Sequence, residues 1–116
     1  MSSLLRRRLY RASLHSINGL KSAWQSEEAF RIEALFGLTL FVAAFFLGET
    51  RHETAILILS VFIVLIAELL NTGLEKIIDR ISLEKHENSR LVKDVGSAAV
   101  FLSIIQMTLI WIILLL

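Results

Sequence analysis

The chain has 116 residues, of which 55% are hydrophobic, and its mean hydropathy is +0.68. Soluble domains are about 45–50% apolar even when glycine is counted, so an ordinary soluble domain is disfavoured. Proline is absent and there are five glycines, which argues against disordered and collagen-like chains. No cysteine is present, which excludes disulfides, thiolate metal sites and iron–sulfur clusters. A net charge of +1 gives no indication of a nucleic-acid partner, and we expect none.

The first predicted element, residues 4–24, is an amphipathic helix. Leu9 and Leu20 fall on one helical arc, and Arg8 and Arg11 fall on the opposite one. A basic amphipathic helix of this kind lies on the surface of a membrane, here on the cytoplasmic leaflet. A basic flank without stable helix is the alternative.

Three membrane-spanning helices are predicted at residues 29–48, 53–78 and 94–116. The last is the clearest, because twenty-two uncharged residues reach about 33 Å, enough for a hydrocarbon core of roughly 30 Å. Ser26 is a candidate N-cap for the first span, and Thr50 with Glu53 forms a candidate capping box for the second.

The distribution of lysine and arginine predicts the topology of these spans. Basic residues precede the first span and fill the link between the second and third, whereas the link at 49–53 carries only Arg51 and the C-terminus carries none. Because basic residues accumulate on the cytoplasmic side, we expect a cytoplasmic N-terminus and a periplasmic C-terminus.

Five polar residues interrupt the second span on a single helical face. They are Glu68, Asn71, Thr72, Glu75 and Asp79. A carboxylate facing lipid costs about 2.5–3.5 kcal/mol, so this stripe must face protein, water or ions. The first of these carboxylates lies roughly 9 Å below the inner interface if the span begins near residue 54.

Charged residues at the cytoplasmic ends of the spans are consistent with phosphate chemistry. Carboxylates favour Mg²⁺, which binds one or two of them together with phosphate oxygens, and Lys93 and the arginines are suited to phosphates. No glycine-rich phosphate loop is present, which excludes a soluble-type nucleotide fold. Two alternatives remain: a polar seam that fixes helix packing, and an ion or proton path, for which the outer halves of the spans hold few polar groups.

Residues 68–79, ELLNTGLEKIID, resemble the signature of the prokaryotic integral-membrane diacylglycerol kinase family. The segments EEAFRIE at 27–33, DRISLEKHENSRLVKD at 79–94 and VGSAAV at 95–100 have the same spacing as in that family. Gly73 stands where serine or alanine is usual and Ile78 where valine is usual, and neither change removes a chemical group.

The resemblance implies a single all-α membrane kinase domain over residues 1–116. In such a domain an N-terminal amphipathic surface helix precedes three transmembrane helices, and the subunits form a homotrimeric bundle whose active sites are shared between neighbours. It implies Mg²⁺-dependent transfer of the ATP γ-phosphoryl group to the hydroxyl of diacylglycerol, giving phosphatidic acid, at the cytoplasmic face of a bacterial inner membrane. Undecaprenol kinase activity on the same fold and a non-catalytic membrane scaffold are the alternatives.

The resemblance also implies roles for individual residues. The catalytic group is Glu68, Asn71, Lys93 and Asp94, with Glu68 as general base. The Mg²⁺ carboxylates are Glu27 and Glu75. The ATP contacts include these two, Lys93 and Asp94, together with Arg8, Arg11, His15, Ser16, Asp79 and His86. The lipid headgroup meets Glu68, Ser97, Arg31 and Glu33.

Overall fold

The computed structural model describes residues 2–81 and 84–116, and in those ranges every regular element is an α-helix. The helices are α1 (Ser3–Ser26), α2 (Glu28–Leu47), α3 (Arg51–Ile81) and α4 (Glu87–Leu115). The last three are long and apolar enough to cross a membrane. The predicted all-α class and the presence of three helices able to span a membrane are therefore confirmed. α4 begins at Glu87, about two turns before the predicted start of the third span.

The junction between α1 and α2 is a single extended residue. Glu27 has φ −119° and ψ 106°, and its N–H still bonds to the carbonyl of Ala23 at 3.0 Å. The prediction that Ser26 caps α2 is wrong, because its hydroxyl donates backward to the carbonyl of Ser22 at 2.7 Å. Glu27 is the N-cap residue, without a side-chain bond to the helix.

Arg31 holds the end of α1 against the beginning of α2. Its Nη1 donates to the carbonyl of Trp24 at 2.7 Å and to that of Gln25 at 3.2 Å. The last carbonyls of a helix have no intrahelical partner, so a guanidinium satisfies them and complements the negative end of the helix dipole. This contact restricts the angle between α1 and α2.

The reversal between α2 and α3 uses the predicted cap. The N–H of Glu53 donates to Thr50 Oγ1 at 3.1 Å, while Glu53 Oε2 accepts from the N–H of Glu49 at 2.9 Å. The hydroxyl half of the capping box is thus as predicted. The carboxylate half bonds one residue earlier than in the standard motif.

α3 is the central helix and packs against both α2 and α4. Leu57, Val61 and Val64 lie on its buried side. Gly37 of α2 allows close approach, because a Cβ at that position would lie 3.2 Å from Val61 Cγ1. Small residues at such contacts are typical of helices that pack within lipid, where apolar side chains gain little by leaving the hydrocarbon.

A group of hydrogen bonds joins α3 to α4 about two helical turns N-terminal to the polar stripe. Ser60, which is fully buried, accepts from Trp111 Nε1 at its hydroxyl at 3.0 Å and from Gln106 Nε2 at its carbonyl at 2.8 Å. Hydrogen bonds between spanning helices contribute about 0.6 kcal/mol on average. These two bonds fix the register of α4 against α3.

Candidate active site

The polar stripe of α3 faces the interior of the helical bundle, as its spacing predicts. Glu68, Asn71 and Thr72 are buried, Glu75 is half-buried and Asp79 is exposed. The burial decreases toward the C-terminal end of α3, so the stripe passes from the packed interior to the surface. A reactant could therefore reach it from that end.

Asn71 lies between Glu75 and α4. Its Nδ2 donates to Glu75 Oε1 at 3.4 Å, while its Oδ1 is buried without a hydrogen-bond partner among the described residues. Gly96 of α4 lies directly against this oxygen, since a Cβ added there would collide with Asn71 Oδ1. The lack of a side chain at Gly96 thus allows Asn71 to orient the carboxylate of Glu75.

Glu33 of α2 and Glu68 of α3 bring two carboxyl groups close to each other. Glu33 Oε2 is buried and has no partner in the described part of the chain. A carboxylate oxygen accepts hydrogen bonds, so this oxygen is left without a donor. A ligand hydroxyl placed between them would supply the missing donor.

A charged cleft of about 570 Å³ lies between the end of α3 and the beginning of α4. Its lining includes four of the predicted nucleotide residues, namely Asp79, His86, Lys93 and Asp94. Lys93 Nζ lies 2.8 Å from Asp79 Oδ1. Arg90 forms ion pairs with Asp94, at 3.1 Å, and with Glu87. The cleft thus carries cations that are already held in position by carboxylates.

His86 also has a structural role in this cleft. Its Nδ1 accepts from the N–H of Asn88 at 3.1 Å and caps α4. Because Nδ1 accepts a hydrogen bond from the backbone, the proton of a neutral ring is carried by Nε2. Nε2 can therefore donate to a ligand.

A second cleft, also of about 570 Å³, lies between α1 and α3. Ser16, Gly73 and Lys76 are among its lining residues. Next to it, Lys76 Nζ lies 3.1 Å from Glu27 Oε1. This ion pair depends on the fold at the α1–α2 junction, so it is not apparent from the sequence.

The residues predicted to bind Mg²⁺ and ATP are divided between these two regions. Glu27 pairs with Lys76, whereas Glu75 pairs with Asn71. Positions 75 and 76 of α3 point about 100° apart. Glu27, which contacts Lys76, therefore lies on a different side of α3 from Glu75. In the ranges 2–81 and 84–116, no group of three or more His, Cys, Asp or Glu side chains is placed to hold a metal ion.

The remaining predicted site residues lie at the edges of these regions. Arg8, Arg11 and His15 are exposed on α1, and Ser97 is exposed on α4 one turn after Lys93. Arg31 is engaged with the carbonyls at the end of α1. A single chain therefore does not bring all of the predicted residues into one cleft.

These features define an all-helical membrane protein with carboxylates buried at one end of its spans and a charged cleft beside them.

A family model described as "Prokaryotic diacylglycerol kinase" matches residues 14–115. A diacylglycerol kinase of Haemophilus influenzae is 43% identical over 103 residues, covering 89% of this chain and 87% of its own. One of Escherichia coli K12 is 43% identical over 108 residues, covering 93% and 88%. One of Helicobacter pylori 26695 is 38% identical over 105 residues, covering 90% and 82%.

The chain belongs to the prokaryotic diacylglycerol kinase family. It is accordingly a lipid kinase, and the predicted family and enzyme class are confirmed.

Proposed function

We propose that this enzyme transfers the γ-phosphoryl group of ATP to the hydroxyl of diacylglycerol, giving phosphatidic acid and ADP. The observation that carries the proposal is the pair of neighbouring carboxyl groups, Glu33 and Glu68, in which the buried Glu33 Oε2 has no hydrogen-bond donor among the described residues. An apolar crevice lined by Gly37, Phe36 and Leu40 continues from Glu33 along α2. An alcohol carried on an acyl chain fits both features.

Glu68 is the general base in this proposal. Its carboxylate accepts the proton of the lipid hydroxyl while the hydroxyl oxygen attacks the γ-phosphorus atom, and the bond from that phosphorus to the ADP oxygen breaks. Burial keeps water, a competing acceptor, away from the base. Glu33 accepts a hydrogen bond from the lipid headgroup, and Arg31 and Ser97 meet the headgroup at the edge of the site.

Lys93 is the cation that binds the transferred phosphoryl group. Its ion pair with Asp79 holds the ammonium at the cleft between α3 and α4. Asp94, the residue after Lys93, pairs with Arg90 and so positions a second cation, the Arg90 guanidinium, at the same cleft. Since catalysis of phosphoryl transfer depends mainly on positioning and on charge neutralisation, fixed cations at this cleft are suited to it.

Glu27 and Glu75 are the proposed Mg²⁺ ligands. Mg²⁺ prefers hard oxygen donors and usually takes one or two carboxylates, completing its shell with phosphate oxygens and water. Two carboxylates without a third acidic ligand fit that preference, and Asn71 orients one of them. When bound with ATP, Mg²⁺ neutralises charge on the phosphate oxygens.

The nucleotide occupies the cleft between α3 and α4 in this proposal. Asp79 and His86 line that cleft, and His86, whose Nδ1 caps α4, is placed to donate to the nucleotide from Nε2. Four α1 residues complete the nucleotide site, namely Arg8, Arg11, His15 and Ser16. Since they do not line this cleft in the single chain, they reach it from another subunit.

A homotrimer with shared sites accounts for the division of the predicted residues between two clefts. In a closed ring of subunits, one face of each chain meets a different face of its neighbour. In this arrangement Glu27, which pairs with Lys76 of the α1–α3 cleft in one subunit, lies near Glu75 of the next subunit.

We place the enzyme in the bacterial inner membrane as a single domain over residues 1–116. The N-terminus and the active site face the cytoplasm, where ATP is present, and Leu116 faces the periplasm. α1 lies on the cytoplasmic leaflet as an amphipathic surface helix. Its exposed apolar residues, among them Leu9 and Leu20, support this placement, as do its four arginines.

The test is a coupled assay of ADP release by the purified protein in mixed micelles, with diacylglycerol or undecaprenol added. We expect ADP release with diacylglycerol and Mg²⁺, with phosphatidic acid identified by mass spectrometry. Release with undecaprenol alone would assign the other acceptor. A folded protein that releases no ADP with either lipid would support the scaffold alternative.

A further inference from the structure

We propose that Lys76 is a tethered cation that occupies the carboxylate of Glu27 in the nucleotide-free enzyme and competes there with the divalent metal ion. Lys76 Nζ lies 3.1 Å from Glu27 Oε1, and the pair connects the start of α2 to α3. The inference rests on the proposed function, because it takes Glu27 as a metal ligand.

The two members of the pair differ in how firmly they are held. The side chain of Glu27 is 28% exposed and that of Lys76 is 60% exposed. The backbone of Glu27 is fixed by its bonds to Ala23, at 3.0 Å, and from Arg31, at 3.2 Å. Lysine carries its charge on a flexible four-carbon stem, so the ammonium can move into solvent while the carboxylate stays in place.

Lys76 differs from the other cations that the structure places near the predicted site. Lys93 pairs with Asp79, and Arg90 pairs with Glu87 and Asp94. Within the described ranges, the pair with Lys76 is the ion pair that engages one of the two proposed metal carboxylates. Lys76 therefore lies directly against one of the two proposed metal carboxylates.

Competition follows from the geometry of the shared oxygen. Mg²⁺ and Mn²⁺ need direct contact with a carboxylate oxygen, and Mg²⁺ makes it at about 2.0–2.1 Å. An ammonium at hydrogen-bonding distance from the same oxygen must withdraw before that contact forms, and its like charge opposes the metal. Exposed ion pairs of this kind contribute about 0.2–1 kcal/mol, so removing the ammonium should strengthen metal binding by up to about fivefold.

The experiment measures Mn²⁺ binding to the whole chain in mixed micelles without nucleotide, from the electron paramagnetic resonance signal of free Mn²⁺. Four variants are compared with wild type: Lys76→Gln, Lys76→Arg, Lys21→Gln and Glu27→Gln. Lys21→Gln is the matched control, because it removes the same charge from an exposed position on α1. Lys76→Arg keeps the cation and its carboxylate partner.

We expect Lys76→Gln to bind Mn²⁺ more tightly than wild type, by about 1.4- to fivefold, and to need correspondingly less Mg²⁺ for half-maximal kinase activity. Lys76→Arg and Lys21→Gln should match wild type, and Glu27→Gln should bind more weakly. Equal or weaker binding by Lys76→Gln, with Glu27→Gln still impaired, would overturn the inference alone. A wild-type protein that binds no Mn²⁺ would overturn the proposed metal site and the inference with it.

Discussion

Replacing Gly96 with alanine tests whether the contact between α4 and Asn71 supports catalysis. The new Cβ would collide with Asn71 Oδ1, while the next side chain, Leu74, lies 3.6 Å away at Cδ1. Asn71 must therefore shift, and its 3.4 Å bond to Glu75 is lost. The same substitution at Gly73 is the matched control, because a Cβ there meets no atom within 4 Å.

The expected loss follows from the bond that breaks. Hydrogen bonds to charged groups contribute about 1.5–3 kcal/mol, and the long distance here favours the lower end. A loss of about 1.5 kcal/mol in the transition state lowers kcat about tenfold. Overpacking costs about 1–3 kcal/mol of stability, and removing a helical glycine returns roughly 0.5–1 kcal/mol, so Gly96→Ala should still fold.

The assay is lipid-dependent ADP release in mixed micelles, with thermal unfolding measured on the same samples. Gly96→Ala should lose about tenfold in kcat while it retains helical content by circular dichroism. Gly73→Ala should keep wild-type activity. Equal activities of the two variants would refute the reasoning that Gly96 positions Asn71.

Two further predictions concern assembly and packing. The single variants Glu27→Gln and Glu75→Gln should each be inactive alone. Refolded together in equal amounts, they should recover about a quarter of wild-type activity, because a site shared between two subunits can then combine both native carboxylates. If the mixture is no more active than either variant alone, both carboxylates of a site belong to one subunit. Trp111→Phe should lower the unfolding free energy in micelles by about 0.6 kcal/mol through the lost bond to Ser60, with kcat unchanged, and an unchanged stability would contradict the proposed role of that bond.

The main features of the fold were predictable because periodicity and charge determine them. Uncharged segments of membrane-spanning length predicted α2, α3 and α4, and the spacing of Glu68, Asn71 and Thr72 predicted a buried stripe. Thr50 was recognisable as a cap because capping depends on neighbouring residues. Ser26 was misassigned because its hydroxyl has a competing acceptor one turn back, the carbonyl of Ser22.

The contacts across helices were not predictable from the pattern. The Lys76–Glu27 ion pair requires the sharp junction between α1 and α2, and no periodicity describes the direction of that junction. The contact between Gly96 and Asn71 joins two helices, so the spacing within either helix does not predict it. The bonds of Ser60 with Gln106 and Trp111 depend on the relative register of two helices. His86 was read as a nucleotide contact, while its capping bond to Asn88 was missed.

The most direct test of the central proposal is phosphatidic acid formation by Glu68→Gln, compared with Glu49→Gln. Both variants replace one carboxylate by an amide, and Glu49 lies in the α2–α3 link, away from the stripe. Loss of a general base lowers turnover about 10²–10⁴-fold, so Glu68→Gln should lose at least about 100-fold in turnover. The variant should still elute from a sizing column at the volume of the wild-type oligomer. Glu49→Gln should remain active. Turnover near wild type in a correctly assembled Glu68→Gln would contradict the assignment of Glu68 as the base.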